Sequence, residues 1–417
     1  MRLRPVRRAL RRLVRGTARR LPPRRGQAVV AGAQAVFTFL TGRPTRASRA
    51  MAASQAKKKA RPAARKDPRE REDPTGTGAS PAAAAQAAEA LAAEQAARAF
   101  REELGGGEKA LAEGRHGDAL RVAEHLGREQ PRNLRILQLR AAALAGAGDA
   151  ATHATALHRV HVHRDDPAVR REERIVASRL VETAPGWLPR LPGPADPVRS
   201  HGDDVVLYLA PESAPHRTTA TTARLQVVLA GALTAGLRPE VVTALGFPRS
   251  AGVTEVARRE VVDGIPHHRL DLGPHYALDG PVDARLRDMT WLAAAVARGV
   301  GPAVIHVIPG EDGLELALVG AALREHLGMP LIVDVAPRRD RPTGEDAARR
   351  QAAEARLLEA ADHVIAADDA TRDRLHGEGL DPGRVSVIEA GGASDLGTRL
   401  RGVYDRALGP VPARAEA

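Results

Sequence analysis

From Val205 onward, short all-apolar runs alternate with stretches in which apolar residues recur every three or four positions. VVLYLA (Val205–Ala210) reads as a buried strand, and Leu225, Val228, Leu229 and Leu233 form a helical stripe after it. EVVTAL follows as a second strand, and VDGIPHHRL (Val262–Leu270) carries an Asp-Gly turn that predicts a small hairpin. AVIHVI (Ala303–Ile308), a helix over about 313–327, LIVDVA (Leu331–Ala336), a helix over about 346–360, HVIAAD, a further helix and VSVIEA continue the alternation. Strands spaced by amphipathic helices predict an α/β fold with a doubly wound, Rossmann-like parallel sheet over residues 204–393. The last stretch, 394–417, predicts one helix and a tail, with Leu396, Leu400, Val403 and Leu408 as its apolar positions.

Residues 82–185 are rich in Ala, Leu and Glu with short breaks, the pattern of packed helices, and a proline-rich hinge over 186–203 separates them from the sheet. LAEGRHGDALRVAEHLGREQP (Leu111–Pro131) is followed by LAGAGDAATHATALHRVHVHRDDP (Leu144–Pro167), with offsets of 33 between the leucines and 36 between the prolines. Both lie near the roughly 34-residue period of tetratricopeptide (TPR) units. A TPR-like array that binds a protein partner and a plain helical bundle both fit. His153, His158, His161 and His163 cluster here. His158 and His161 are helix neighbours, but no carboxylate is patterned with them along the sequence, so no metal site is expected.

Charge changes the picture at the N-terminus. Up to Asp73 there are 22 Lys or Arg against four Asp or Glu, a net of +18 in a chain of net +12, so residues 74–417 carry −6. The high pI therefore belongs to residues 1–81, and the rest, poor in aromatics, lacks the stacking surface of a nucleic-acid-binding domain. Leu3, Val6, Leu10, Leu13, Val14 and Leu21 share an arc of about 100° on a helix, with most arginines, among them Arg8, Arg11, Arg12 and Arg15, on the other side and Arg7 at the edge of the arc. That pattern fits a helix lying on an anionic membrane surface, with Leu10 and Leu13 inserted, and equally a disordered solubilising tail. Residues 41–81 form a charged low-complexity linker expected to stay disordered. The longest apolar stretch, Ala28–Leu40, is short for a membrane span and contains Gln34. With no cysteine, disulfides, thiolate metal sites and a Cys nucleophile are excluded. A cytoplasmic setting, peripheral on the inner face of the membrane, fits both features.

Ligands of doubly wound sheets bind beyond the C-terminal ends of the strands. That rule nominates PESAPHRTTATT (Pro211–Thr222), PGEDG (Pro309–Gly313), PRRDRP (Pro337–Pro342) and DDAT (Asp368–Thr371). The first loop opens a helix, where free N–H groups and the dipole favour an anion. Glu212, His216, Arg217 and Thr218 there, with Glu311 and Asp312 across the crevice, are the candidate ligand-binding side chains. Threonines at that place are also ordinary helix caps.

In order, TAGLRPEVVTALGFPR, VDGIPHHRL, AVIHVIPGEDGLELALVGAALREHLGMPLIVDV and EAADHVIAADDATRDRLHGEGLDPGRVSVIEAG resemble the N-terminal, acceptor-side domain of retaining GT-B glycosyltransferases of the family 4-like kind. The similarity spans about 204–392. It implies half of a GT-B fold that binds an acceptor, facing a second half that binds the nucleotide sugar. Three departures stand out. The usual glycine-rich turn after the first strand is TTATT here; the usual His-x-His is His306 followed by Ile308; and the usual Val-Pro-Asn-Gly-Val-Asp is Val387-Ile388-Glu389-Ala390-Gly391-Gly392-Ala393. His306 joins the candidate ligand-binding residues through this resemblance, while Ile308 can neither donate nor take a proton. The donor half, with its paired glutamates and diphosphate-binding basic residues, is expected to be missing, and the final helix is expected to be the one that crosses back onto the first domain. These features point to a glycosyltransferase-like binding or scaffold module in glycan or polysaccharide synthesis, inactive alone and without a cofactor. Its expected partners are a glycan or lipid-linked acceptor, a donor-domain chain, a protein on the helical region and an anionic membrane. The alternatives are an active subunit completed by a separate donor-binding chain, or a polyanion or nucleic-acid binder acting through the basic tail.

Overall fold

The computed structural model describes residues 80–146, 148–310, 313–337, 344–389 and 393–408. The arginine-rich and low-complexity segment, with Arg7, Arg8, Leu10, Arg11, Arg12, Leu13 and Arg15, lies outside the described residues, as do Glu311 and Asp312. The chain divides into Met1–Ala84 and Ala85–Ala417, and the sheet with its helices belongs to the second unit.

Among the described residues five helices come first: α1 (Pro81–Ala112), α2 (His116–Glu129), α3 (Leu134–Ala145), α4 (Ala150–His163) and α5 (Pro167–Glu182). Local chemistry sets their starts. Asn133, Asp149 and Asp166 are N-caps whose side chains accept backbone N–H groups, and Pro167 takes the first-turn position where its missing N–H costs nothing. The two Gly-Asp-Ala triplets occupy different places: Asp149 caps α4, whereas Asp118 sits inside the first turn of α2. Leu104, Ala119, Ala123, Leu126, Ile136 and Leu139 form one small core, and Leu137, Leu144, Leu157 and Val160 another.

The sheet contains β1 (Val205–Ala210), β2 (Arg238–Thr243), β3 (Arg259–Val262), β4 (Ile265–Arg269), β5 (Val304–Val307), β6 (Leu331–Val335), β7 (His363–Ala366) and β8 (Val385–Val387). Their spatial order is β3-β4-β2-β1-β5-β6-β7-β8. Every pairing is parallel except the edge hairpin β3–β4, turned by Asp263 and Gly264 at φ 52° and 80°. Two consecutive left-handed residues are what a two-residue type I′ turn demands. The hairpin extends the sheet, because β4 pairs in parallel with β2.

Helices cover both faces, as an all-apolar parallel sheet requires. On one side Leu207, Leu209, Val242, Ile305, Val307, Val333 and Val364 meet α7 (Val282–Val300), α8 (Leu314–Leu327), α9 (Glu345–Ala360) and Leu375 of α10 (Asp369–Gly377). On the other, Val206, Val241, Val304, Ile332 and Ile365 meet α6 (Ala220–Thr234) and α11 (Ala393–Leu408). The helical arm is tied to the first of these layers. Ser178 Oγ accepts the Val282 N–H at 2.9 Å, Arg174 pairs with buried Asp283 at 2.7 Å, and Arg350 pairs with buried Glu182 at 3.0 Å. Burial pushes the Glu182 carboxyl up to about 7 against the opposing pull of Arg350. The proline-rich segment between arm and sheet is packed down: Trp187, Leu188, Leu191 and Val198 lie on the core, and Val198 N–H donates to the Leu327 carbonyl at 2.9 Å.

Helix α11 follows β8 after residues 388–392 and lies beside α6. Two facing glycines allow the close approach. A Cβ on Gly231 would stand 2.7 Å from Leu396 Cγ, and one on Gly397 would stand 2.8 Å from the Gly231 carbonyl oxygen. No helix among the described residues is long and apolar enough to cross a membrane.

Candidate functional site

The chain leaves β1, runs outward to β2 and β4, then returns to β5 on the opposite side of β1. Adjacent connections diverge at that point, and a crevice opens between the loops after β1 and β5. The two loops touch: a Cβ on Gly310 would lie 3.0 Å from Pro211 Cγ.

Two polar clusters hold the loop after β1. At the start of α6, Thr219 is the N-cap. Its Oγ1 accepts from Thr222 N–H at 3.2 Å, while Thr222 Oγ1 accepts from Thr219 N–H at 2.7 Å. Thr219 Oγ1 also donates to Glu212, and Arg217 Nε lies 3.6 Å from the same carboxylate. The threonines therefore serve as caps, and the exposed groups beside them are Arg217 and Thr218.

Behind this rim lies a buried set from β3 and β4. Arg269, 3% exposed, donates to Ser213 Oγ at 2.6 Å, to the Ala214 carbonyl at 3.3 Å and to Glu260 at 2.7 Å. Its guanidinium carbon stands 5.4 Å from the centre of the Phe247 ring. Glu260 also bonds His216 Nε2 at 3.1 Å, and Ser213 Oγ lies 3.0 Å from His267 Nδ1. Burial raises the Glu260 carboxyl, but the hydrogen bonds from Arg269 and His216 outweigh it, and the group stays ionised below the usual range. Burial first and Arg269 second push the His267 imidazole down to about 4, so it is neutral at pH 7. A neutral imidazole beside a hydroxyl that is already taken up by a guanidinium orients the loop rather than activating a nucleophile.

Of the candidates read from the sequence, Glu212, His216, Arg217 and Thr218 therefore sit together on one braced loop. His306 is elsewhere. It is fully buried on the α6–α11 face, with Nδ1 2.9 Å from Tyr404 Oη, which is 2.7 Å from Tyr208 Oη. Burial, then Arg224, pushes the His306 imidazole down to about 3. Beside it, Arg224 donates Nε and Nη2 to buried Asp334 at 3.0 and 2.7 Å and Nη1 to the Ile388 carbonyl at 2.9 Å. Ile308 is 2% exposed and packs in the same layer. Ser213, Glu260, His267 and Arg269 were not singled out from the sequence. The available signal was the strand period: Ile265, His267 and Arg269 alternate onto one face of β4, which places a histidine and an arginine where a core strand carries apolar residues.

Residues 222–391 match the family model described as glycosyl transferase 4-like domain. The matched range begins after β1 and its loop. The chain is similar to a solved sucrose-phosphate synthase of Thermosynechococcus elongatus, at 17% identity over 48% of this chain and 97% of that one, TM-score 0.35. It is also similar to a mutant O-GlcNAc transferase of Thermobaculum terrenum, at 12% identity over 72% and 76% of the two chains, TM-score 0.21. No curated protein matches the chain.

Proposed function

We propose that this chain is a glycosyltransferase-like module that binds the acceptor side of a glycan- or polysaccharide-building reaction and does not transfer sugar by itself. The observation that carries this reading is the connection after β8. Only five positions, 388–392, separate β8 from α11, which lies on the α6 face of the same sheet, and a segment of that length supports the reading that no donor-binding half stands between them. Retaining transfer needs such a half to stabilise the departing nucleotide diphosphate. Among the described residues at the end of β5, buried Ile308 and inward-facing His306 offer no group to the crevice that could move a proton, which supports this reading.

The braced loop favours a second reading, a subunit completed by a separate donor-binding chain, because a buried arginine and histidine are more than a plain scaffold needs to hold a loop. In either case the five described helices would offer a surface for a protein partner, as a TPR-like array would. The arginine-rich N-terminus would hold the chain on an anionic membrane by an attraction that added salt weakens.

Titrating sugars, sugar phosphates and polyprenyl phosphates while following amide chemical shifts tests the binding claim. The expected result is weak, millimolar binding with shifts in Pro211–Thr219 and around Gly310, reduced several-fold by Arg217→Ala. Shifts confined to other faces, or none, would remove the acceptor-binding reading.

A further inference from the structure

We propose that His158 and His161 of α4, with Glu173 of α5, form a site for a single divalent cation of the zinc class. The three ligand atoms lie within 4.8 Å of one another. His158 Nδ1 is 2.9 Å from Glu173 Oε1, and His161 Nδ1 is 2.9 Å from Glu173 Oε2. The histidines stand one helical turn apart, with ring centroids 6.1 Å apart and planes at 84°, so both Nδ1 atoms converge on one carboxylate from different directions. The two imidazole nitrogens and the two carboxylate oxygens can meet in one of two ways: each Nδ1 carries a hydrogen donated to the carboxylate, or the nitrogens are unprotonated and one metal ion lies between them and the oxygens. Two His and one Glu is a recurrent zinc donor set that leaves a coordination position for water or another ligand.

The surroundings suit the ion. His158 is exposed, and His161 and Glu173 are partly so, which leaves an entry path. Asp165, in the turn between the helices, places Oδ1 4.0 Å from His161 Nε2. A metal-bound imidazole characteristically directs its other N–H to a carboxylate, directly or through water, and that contact leaves Nδ1 free to bind. Arg170 holds Asp165 in turn, at 3.2 Å. His163 is not part of the site, because its Nδ1 faces the Arg159 carbonyl at 2.8 Å. His153 is also apart, buried and 3.7 Å from Glu172. Drawing the ligands onto one ion would clamp α4 to α5, and α5 is the helix that docks on α7.

The test uses the full chain, stripped with a chelator and titrated with Co²⁺. The expected result is one equivalent bound with the visible d–d absorption of a low-coordinate site, displaced by Zn²⁺ and accompanied by proton release. His158→Ala and His161→Ala are expected to weaken binding at least about tenfold. Glu173→Gln, which keeps the side-chain shape, is expected to weaken it similarly, while His163→Ala leaves it unchanged. Circular dichroism of each variant verifies the helices. Absence of a d–d band in the wild type, or equal affinity in Glu173→Gln, would overturn the site and leave the contacts as a proton-filled clip between the helices.

Discussion

Arg224→Ala is expected to destabilise the sheet domain by roughly 3–5 kcal/mol, the range for removing one partner of a buried ion pair. Asp334 is 3% exposed, and Arg224 is the cation that reaches it, with two donors on one oxygen. Burial already pushes the Asp334 carboxyl above its ordinary value, and Arg224 is what opposes the rise. Without the arginine, ionised Asp334 has no compensation, and the Ile388 carbonyl loses its donor as well. The sign of the pH effect follows. A carboxyl whose folded pKa is raised favours folding most when protonated, so the deficit of the variant grows as pH rises through that pKa and shrinks on acidification. Denaturant unfolding at two pH values measures this, and Arg224→Met combined with Asp334→Leu should recover most of the loss. A deficit below about 1 kcal/mol at neutral pH would mean that the pair behaves as a solvated surface bridge.

Gly397→Val is expected to cost about 1–3 kcal/mol, the usual penalty of overpacking, and to loosen α11 from the sheet. The added atoms would meet backbone, the Gly231 carbonyl at 2.8 Å and the Ala235 nitrogen at 3.2 Å, and backbone within a helix cannot move aside cheaply. Displacing α11 uncovers Leu396, Leu400 and Val403 and separates Tyr404 from both Tyr208 and His306. Gly402→Ala is the matched control. Its nearest neighbour is the flexible end of Arg406 at 3.7 Å, so the gain in helix propensity should leave stability unchanged or slightly raised. Amide exchange across residues 393–408 reads the difference. Equal protection in both variants would show that the Gly231–Gly397 approach does not hold the helix.

Sequence pattern reached the sheet because its strands are buried on both faces. Runs such as Val205–Ala210 and Leu331–Val335 leave little choice of element, and the Asp-Gly turn marked the hairpin. Strand β3 was harder to see, since Arg259–Val262 sits at an edge and half of it faces water. The loop after β1 was also within reach, because strand ends nominate it whatever it contains. Its bracing was not. Ser213 meets Arg269 and His267 only once β4 has paired with β2, and no local spacing encodes contacts more than fifty residues apart. The same reason hid Arg224–Asp334, separated by 110 positions. The reading that no carboxylate accompanies His158 and His161 holds along their own helix and fails across the hairpin, where Glu173 arrives from α5. His306 shows the opposite failure. A resemblance placed it toward a ligand, whereas the tyrosine of α11, not among the apolar positions of that helix, turns it into a sheet–helix contact.

Assaying the purified chain alone with UDP- and GDP-sugars, with and without glycan or lipid-linked acceptors, tests the central claim most directly. Neither transfer nor hydrolysis above background is the predicted result, because nothing between β8 and α11 supplies a diphosphate-binding half. Turnover that survives purification and is abolished by Arg217→Ala would contradict it and make this chain an enzyme in its own right.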